Sequence, residues 1–120
     1  MRHSLYIIIG AALLLFASCG RQQQAKSIVK DFMEDNVADY SKVSYLDFCD
    51  VDSTRIISDS LLQVMRQHAP SHFNHDIHYQ PRLGKTLFLM RVRYTLEGDT
   101  CSATFYLDAS LSGVVAFKQN

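Results

Sequence analysis

The stretch LFLMRVRYTLEGDTCSATFYLD, residues 87–108, decides the fold. In its first half Phe88, Met90, Val92, Tyr94 and Leu96 alternate with Leu89, Arg91, Arg93 and Thr95. In its second half Cys101, Ala103, Phe105 and Leu107 alternate with Ser102, Thr104, Tyr106 and Asp108. Alternation of this kind places each set on one face of a pleated strand, so the segment reads as two half-buried strands. Gly98-Asp99 lies between them and suits a two-residue primed turn with glycine first. That turn pairs Glu97 with Thr100, setting Leu96 opposite Cys101, Tyr94 opposite Ala103, Val92 opposite Phe105 and Met90 opposite Leu107. All the apolar residues then share a face, whereas a one-residue slip would split them.

Working outward, Gly113 marks another turn, and Val114 to Lys118 supplies a third antiparallel strand. Upstream, Ala25, Ile28, Val29, Phe32 and Met33 recur at the spacing of one helix face, and Asn36 is a residue that closes helices. Val43 to Val51 is rich in β-branched and aromatic residues and reads as a strand. Its alternation is imperfect, because Leu46 and Phe48 fall on the face opposite Val43, Tyr45 and Cys49. Ser58 is placed to cap a second helix, with Asp59 in the first turn, Leu61, Leu62 and Met65 on the apolar side and Pro70 ending it. Residues 70–84 form a long connection. The order helix, strand, helix, three-strand meander predicts an α+β fold, with an amphipathic N-terminal helix packed on a curved, mainly antiparallel sheet.

The chain opens with Met1-Arg2-His3 and an uncharged run of twelve residues from Leu5 to Phe16. A membrane-spanning helix needs roughly 20 apolar residues, a signal peptide only about 7 to 15. Small residues and a cysteine follow, and Ala17-Ser18-Cys19-Gly20 resembles the lipobox of bacterial lipoproteins, with Phe16 where that family usually has Leu. The resemblance implies that residues 1–18 are a signal peptide and that Cys19 is acylated and becomes the mature N-terminus. Two or more acyl chains give stable anchoring where one gives only marginal binding. Residues 19–24, polar and glutamine-rich, then read as a short lipidated tether before a domain spanning residues 25–120. Residue 20 is not the Asp associated with inner-membrane retention, and no acidic run of the kind associated with surface display follows. The expected address is therefore the outer membrane facing the periplasm.

Together with the lipobox, the helix at 25–33, the Val51-Asp52-Ser53 turn and the Tyr106-Leu107-Asp108 strand make the chain similar to small lipoproteins common in Bacteroidetes. That resemblance implies a cystatin- or NTF2-like fold, a helix cradled by a curved sheet, and carries over no catalytic residue.

Lys plus Arg and Asp plus Glu are twelve each, and removing Arg2 with the signal leaves the mature chain at minus one. Without a basic stripe to neutralise phosphates, nucleic acid is not an expected partner. Residues 31–59 hold eight acidic and two basic residues, which read as a solvated face. With Cys19 committed to lipid, Cys49 and Cys101 remain as the one possible intramolecular disulfide in an oxidising compartment, a closure that would contribute about 4 kcal/mol in a chain-entropy picture. Two buried free thiols are the alternative.

His68, His72, His75 and His78 lie within eleven residues. Imidazole is the commonest metal ligand, so a zinc or copper site is one expectation for this segment. Pro70 interrupts a helical stripe, and on a strand His75 faces away from His72 and His78, so only an irregular loop could converge all four. Asp50, Asp52 and Thr54 mimic the opening of a calcium loop, but Arg55 replaces the required Gly and Leu61 the closing Glu. No nucleophile elbow, papain-type cysteine segment or Gly-rich phosphate cradle is present. Arg91 and Arg93 point away from the apolar face, with Arg91 opposite Tyr106 in the register above, and form a candidate binding surface in which a guanidinium stacks on a ring. The expected function is a non-enzymatic binding module for an envelope protein or small ligand, with metal binding through the histidine segment as the alternative.

Overall fold

The computed structural model describes residues 20–120, and the expected signal peptide and lipidated Cys19 fall on residues outside the described ones. Residues 20–36 form helix α1, whose Ala25, Val29, Phe32 and Met33 are buried. Asn36 closes it by donating its side-chain amide to the Phe32 carbonyl at 2.8 Å. Residues 20–24, expected as a tether, are helical instead. Gln22 accepts the Val51 N–H at 2.7 Å and donates to the Cys49 carbonyl at 3.2 Å, while the Arg21 guanidinium sits 5.2 Å from the centre of the Phe88 ring. Gln22 thereby satisfies the backbone of a strand break far along the chain, a role that local periodicity does not reveal.

After a short 3₁₀ turn at Tyr40–Lys42, strand β1 (Val43–Phe48) returns along the sheet. β2 (Asp52–Thr54) follows, then α2 (Asp59–Gln67), β3 (Leu87–Leu96), β4 (Asp99–Asp108) and β5 (Val114–Gln119). The strands form one antiparallel sheet in the order β1-β3-β4-β5, with β2 pairing β3 beyond the end of β1. The fold is α+β as expected. A bulge between Tyr45 and Asp47 explains the imperfect alternation of β1: one extra residue restores Phe48, opposite Val92, to the face of Val43 and Tyr45, and leaves Leu46 half exposed.

The β3–β4 hairpin keeps the expected faces but not the expected register. Leu96 pairs with Asp99, Tyr94 with Cys101, Val92 with Ala103 and Met90 with Phe105, two residues away from the expected pairing. The turn residues are Glu97 and Gly98, at φ 52° and 87°. A primed turn with positive φ at both centres is most easily closed with glycine second, so Gly98 takes that place and Glu97 accepts the left-handed conformation before it. Alternation has a period of two and is blind to a two-residue slip.

The principal core lies between α1 and the sheet. Phe32 and Met33 meet Met90, Val92, Tyr94, Phe105, Leu107 and Phe117 there. Helix α2 covers the other face, though only at one end, where Leu62 and Met65 pack on Leu87, Tyr106, Val115 and Ala116. Ser58 caps α2 as expected, accepting the Leu61 N–H at 3.1 Å, whereas Leu61 itself faces outward rather than into the apolar side. Arg66 ties α2 to the sheet by donating to the carbonyls of Val115 (2.9 Å) and Gln80 (3.2 Å).

Candidate functional site

Because α2 covers one end of the outer sheet face, the other end stays open. β3 records the change in its own sequence: on that face Leu87 and Leu89 lie toward the covered end, and Arg91 and Arg93 are exposed beyond them. Across the strands Arg91 lies opposite Thr104, which pairs with Lys118 on β5. Arg93 lies between Asp47 of β1 and Ser102 of β4. Neighbouring strands are about 4.8 Å apart and residues two apart on a strand about 6–7 Å, so the three cations sit on one small area. The surface between them is fixed by the last residue described. Asn120 accepts the Thr104 hydroxyl at 3.0 Å, donates its amide to the Ser102 hydroxyl at 3.0 Å and gives its backbone N–H to the Ser102 carbonyl at 2.8 Å.

Among the described residues the ion pairs are Lys42 with Glu97 and Arg82 with Asp59, so neither Arg91, Arg93 nor Lys118 is neutralised by a carboxylate within 4 Å. Rigid strands presenting two guanidinium forks and an ammonium beside hydroxyl groups can bind carboxylate or phosphate oxygens, the guanidiniums in bidentate fashion. Nothing in this area pairs a nucleophile with a base.

Tyr106 does not belong to this surface. It lies opposite Leu89, is only 7% exposed, and packs beneath α2. The expected stacking of Arg91 on its ring is therefore corrected by the two-residue register shift and by the second helix layer. Lys118 and Asn120 take part instead. The switch from Leu87 and Leu89 to Arg91 and Arg93 along one face of β3 is the sequence signal that marks where the helix cover ends.

The four histidines are separated. His68 Nδ1 lies 2.7 Å from the Val64 carbonyl of its own helix, and His72 Nε2 lies 2.7 Å from the Tyr94 hydroxyl. His75 lines a cavity of about 170 Å³ with Arg66 and Asn74, and His78 lines another of about 210 Å³ with Asp31 and Asp35. Among the described residues no three His, Cys, Asp or Glu side chains are grouped as metal ligands. The reason is non-local pairing: Asn74 N–H donates to Asn36 at 2.7 Å and Ala38 N–H to His72 at 3.1 Å, pinning the connection to the end of α1 in an extended course. Burial lowers the pKa of His72 and raises that of Tyr94, so both stay neutral in their hydrogen bond near pH 7.

Cys49 and Cys101 are both free thiols. Cys49 donates its N–H to Arg91 on one side of β3, and Cys101 pairs with Tyr94 on the other side. Three residues along and two strands across separate them by about 14 Å, against a Cα span below about 7 Å for a disulfide. Of the two readings of this pair, disulfide or free thiols, the described geometry has the free thiols. The side of the sheet that faces α1 is filled by Phe32, Phe73, Phe105 and Phe117. Comparison with known protein families, with curated proteins and with solved structures finds no match for this chain.

Proposed function

We propose that this protein is a lipid-anchored lipoprotein of the cell envelope, held through Cys19 in the outer membrane facing the periplasm. In this reading its α+β domain is a non-enzymatic binding module that uses the open sheet face. The observation that carries the choice of face is the cluster of cations Arg91, Arg93 and Lys118, none within 4 Å of a carboxylate among the described residues and with Asp47 opposite Arg93, on a surface stiffened by Asn120. Its partner is anionic, either an acidic surface of an envelope protein or a small carboxylate or phosphate ligand. The alternative, zinc or copper held by His68, His72, His75 and His78, is not favoured by any contact between those side chains.

A photo-crosslinking residue placed at Ser102 tests this in the native envelope. It should give a discrete adduct, reduced at least about tenfold by Arg91→Glu with Arg93→Glu, since reversing two charges at a contact removes 1.4 kcal/mol or more of binding. Undiminished adduct in the double variant would contradict the assignment of the face.

A further inference from the structure

The end of the sheet at which α1 enters carries a surface of a different kind. Arg21 lies over Phe88, the second residue of β3, and Gln22 bonds both sides of the β1–β2 break. At the same end β2 pairs through Thr54 with Leu87, and the segments 55–58 and 82–86 extend beyond the sheet. The Glu97-Gly98 turn is about 30 Å away at the opposite end of β3. Arg82 joins the two segments by donating to the carbonyls of Ile57, Gly84 (2.8 Å) and Lys85 (2.9 Å), and it also pairs with Asp59. Between the segments lies an open groove of about 500 Å³, lined by Arg55, Ile56 and Lys85 among others. Ile56 is 90% exposed and Leu83 63%, the two highest values among the exposed large apolar residues described.

We infer that this end of the domain docks on the phospholipid surface, with Ile56 and Leu83 entering the interface and Arg55 and Lys85 meeting the headgroup phosphates. The inference rests on the reading of Cys19 as the acylated residue. Residue 20 is already helical, and Gln22 is bonded to the sheet, so no flexible spacer holds the described domain away from an anchor one residue earlier. Whatever surrounds residue 20 is then forced to headgroup level. Two exposed apolar side chains flanked by cations match that layer, where apolar groups reach the acyl boundary and Lys and Arg meet anionic lipid. Asp50 and Asp52 lie at this end as well, so the match comes from apolar exposure and the point of chain entry rather than from net charge.

The chain contains no tryptophan, so one can be introduced as the sole reporter. Ile56→Trp, Leu83→Trp and Thr100→Trp, the last exposed at the far end, are made in the full chain, isolated from membranes and reconstituted in phosphatidylethanolamine–phosphatidylglycerol vesicles with brominated acyl chains. Docking predicts that emission from positions 56 and 83 is quenched at least about twofold relative to non-brominated vesicles, and that emission from position 100 is unchanged. Arg55→Glu with Lys85→Glu should weaken the quenching at position 56. Acylated protein whose probes at 56 and 83 remain as unquenched as the probe at 100 overturns the docking while leaving the anchor intact. A chain that mass spectrometry shows to be unacylated and that does not float with vesicles overturns the anchor, and this inference with it.

Discussion

Phe117→Ala should lower the thermal unfolding midpoint by on the order of 20 °C, the largest effect expected of a single substitution in this domain. Phe117 sits on the last strand, is buried, and faces Phe105 in a near-parallel stack at 5.3 Å between ring centroids. Phe73 approaches it at 4.5 Å, Phe32 edge-on at 5.5 Å and Tyr79 at 6.4 Å. It therefore joins α1, the histidine-bearing connection and the sheet. Truncation removes a large apolar surface and leaves a cavity that rigid neighbours on three elements cannot collapse to fill, which typically costs 3–5 kcal/mol. A domain of this size has roughly 5–15 kcal/mol of stability in total. Leu46→Ala, at the half-exposed bulge of β1, is the contrast and should change stability by no more than about 0.5 kcal/mol. Equal midpoints for the two variants, measured by circular dichroism, would contradict the packing described.

Asp108→Ala should come second, at about 2–4 kcal/mol. Asp108 is fully buried at the end of β4 and organises the five residues that follow it. Its carboxylate accepts the backbone N–H groups of Ser112 (2.9 Å) and Gly113 (2.8 Å) and the hydroxyls of Ser110 and Ser112. Alanine would leave those donors without partners at the start of β5, whereas Asp108→Asn keeps an acceptor and should cost less. Burial alone would raise the pKa of this carboxyl, but the hydrogen bonds from Ser110, Ser112 and Gly113 outweigh it and hold the group below its ordinary 3.8. A carboxyl depressed by folding stabilises the native state above its unfolded pKa, and that contribution is lost as pH falls from about 4 through the lower folded value. His72 acts in a higher window with the same sign. Burial lowers its pKa below 6.5, so protonation is penalised in the folded state and stability declines as pH falls below about 6.5. Unfolding midpoints measured from pH 8 to pH 3 should show both declines, and Asp108→Ala should flatten only the lower one.

What could be read from sequence, and what could not, divides along local and non-local information. The α1 stripe from Ala25 to Met33, the Ser58 cap of α2 and the two faces of the β3–β4 hairpin all depend on neighbours within a few residues, and all are present. The expected hairpin register is two residues off, because parity alone fixes it only to even slips and the choice between Glu97-Gly98 and Gly98-Asp99 lies in backbone conformation. The docking of Gln22 on residues 49 and 51, and the burial of Tyr106 under α2, are contacts between distant segments with no periodic signature. The same is true of the histidines. Their closeness in sequence suggested convergence, but the pairing of residues 72–74 with 36–38 sends them to different parts of the surface. Of the candidate binding surface, Arg91 and Arg93 were legible from alternation. Lys118 and Asn120 join them only because β5 lies beside β4 in the order the sheet adopts.

The proposed address, the orientation of the domain and the setting of its cationic face all follow from the anchor. The direct measurement is the intact mass of the full-length gene product isolated from bacterial membranes. The prediction is a chain that begins at Cys19, lacks residues 1–18, and carries a diacylglyceryl group on the Cys19 sulfur. A chain that retains Met1, or one with an unmodified Cys19 thiol, would contradict it.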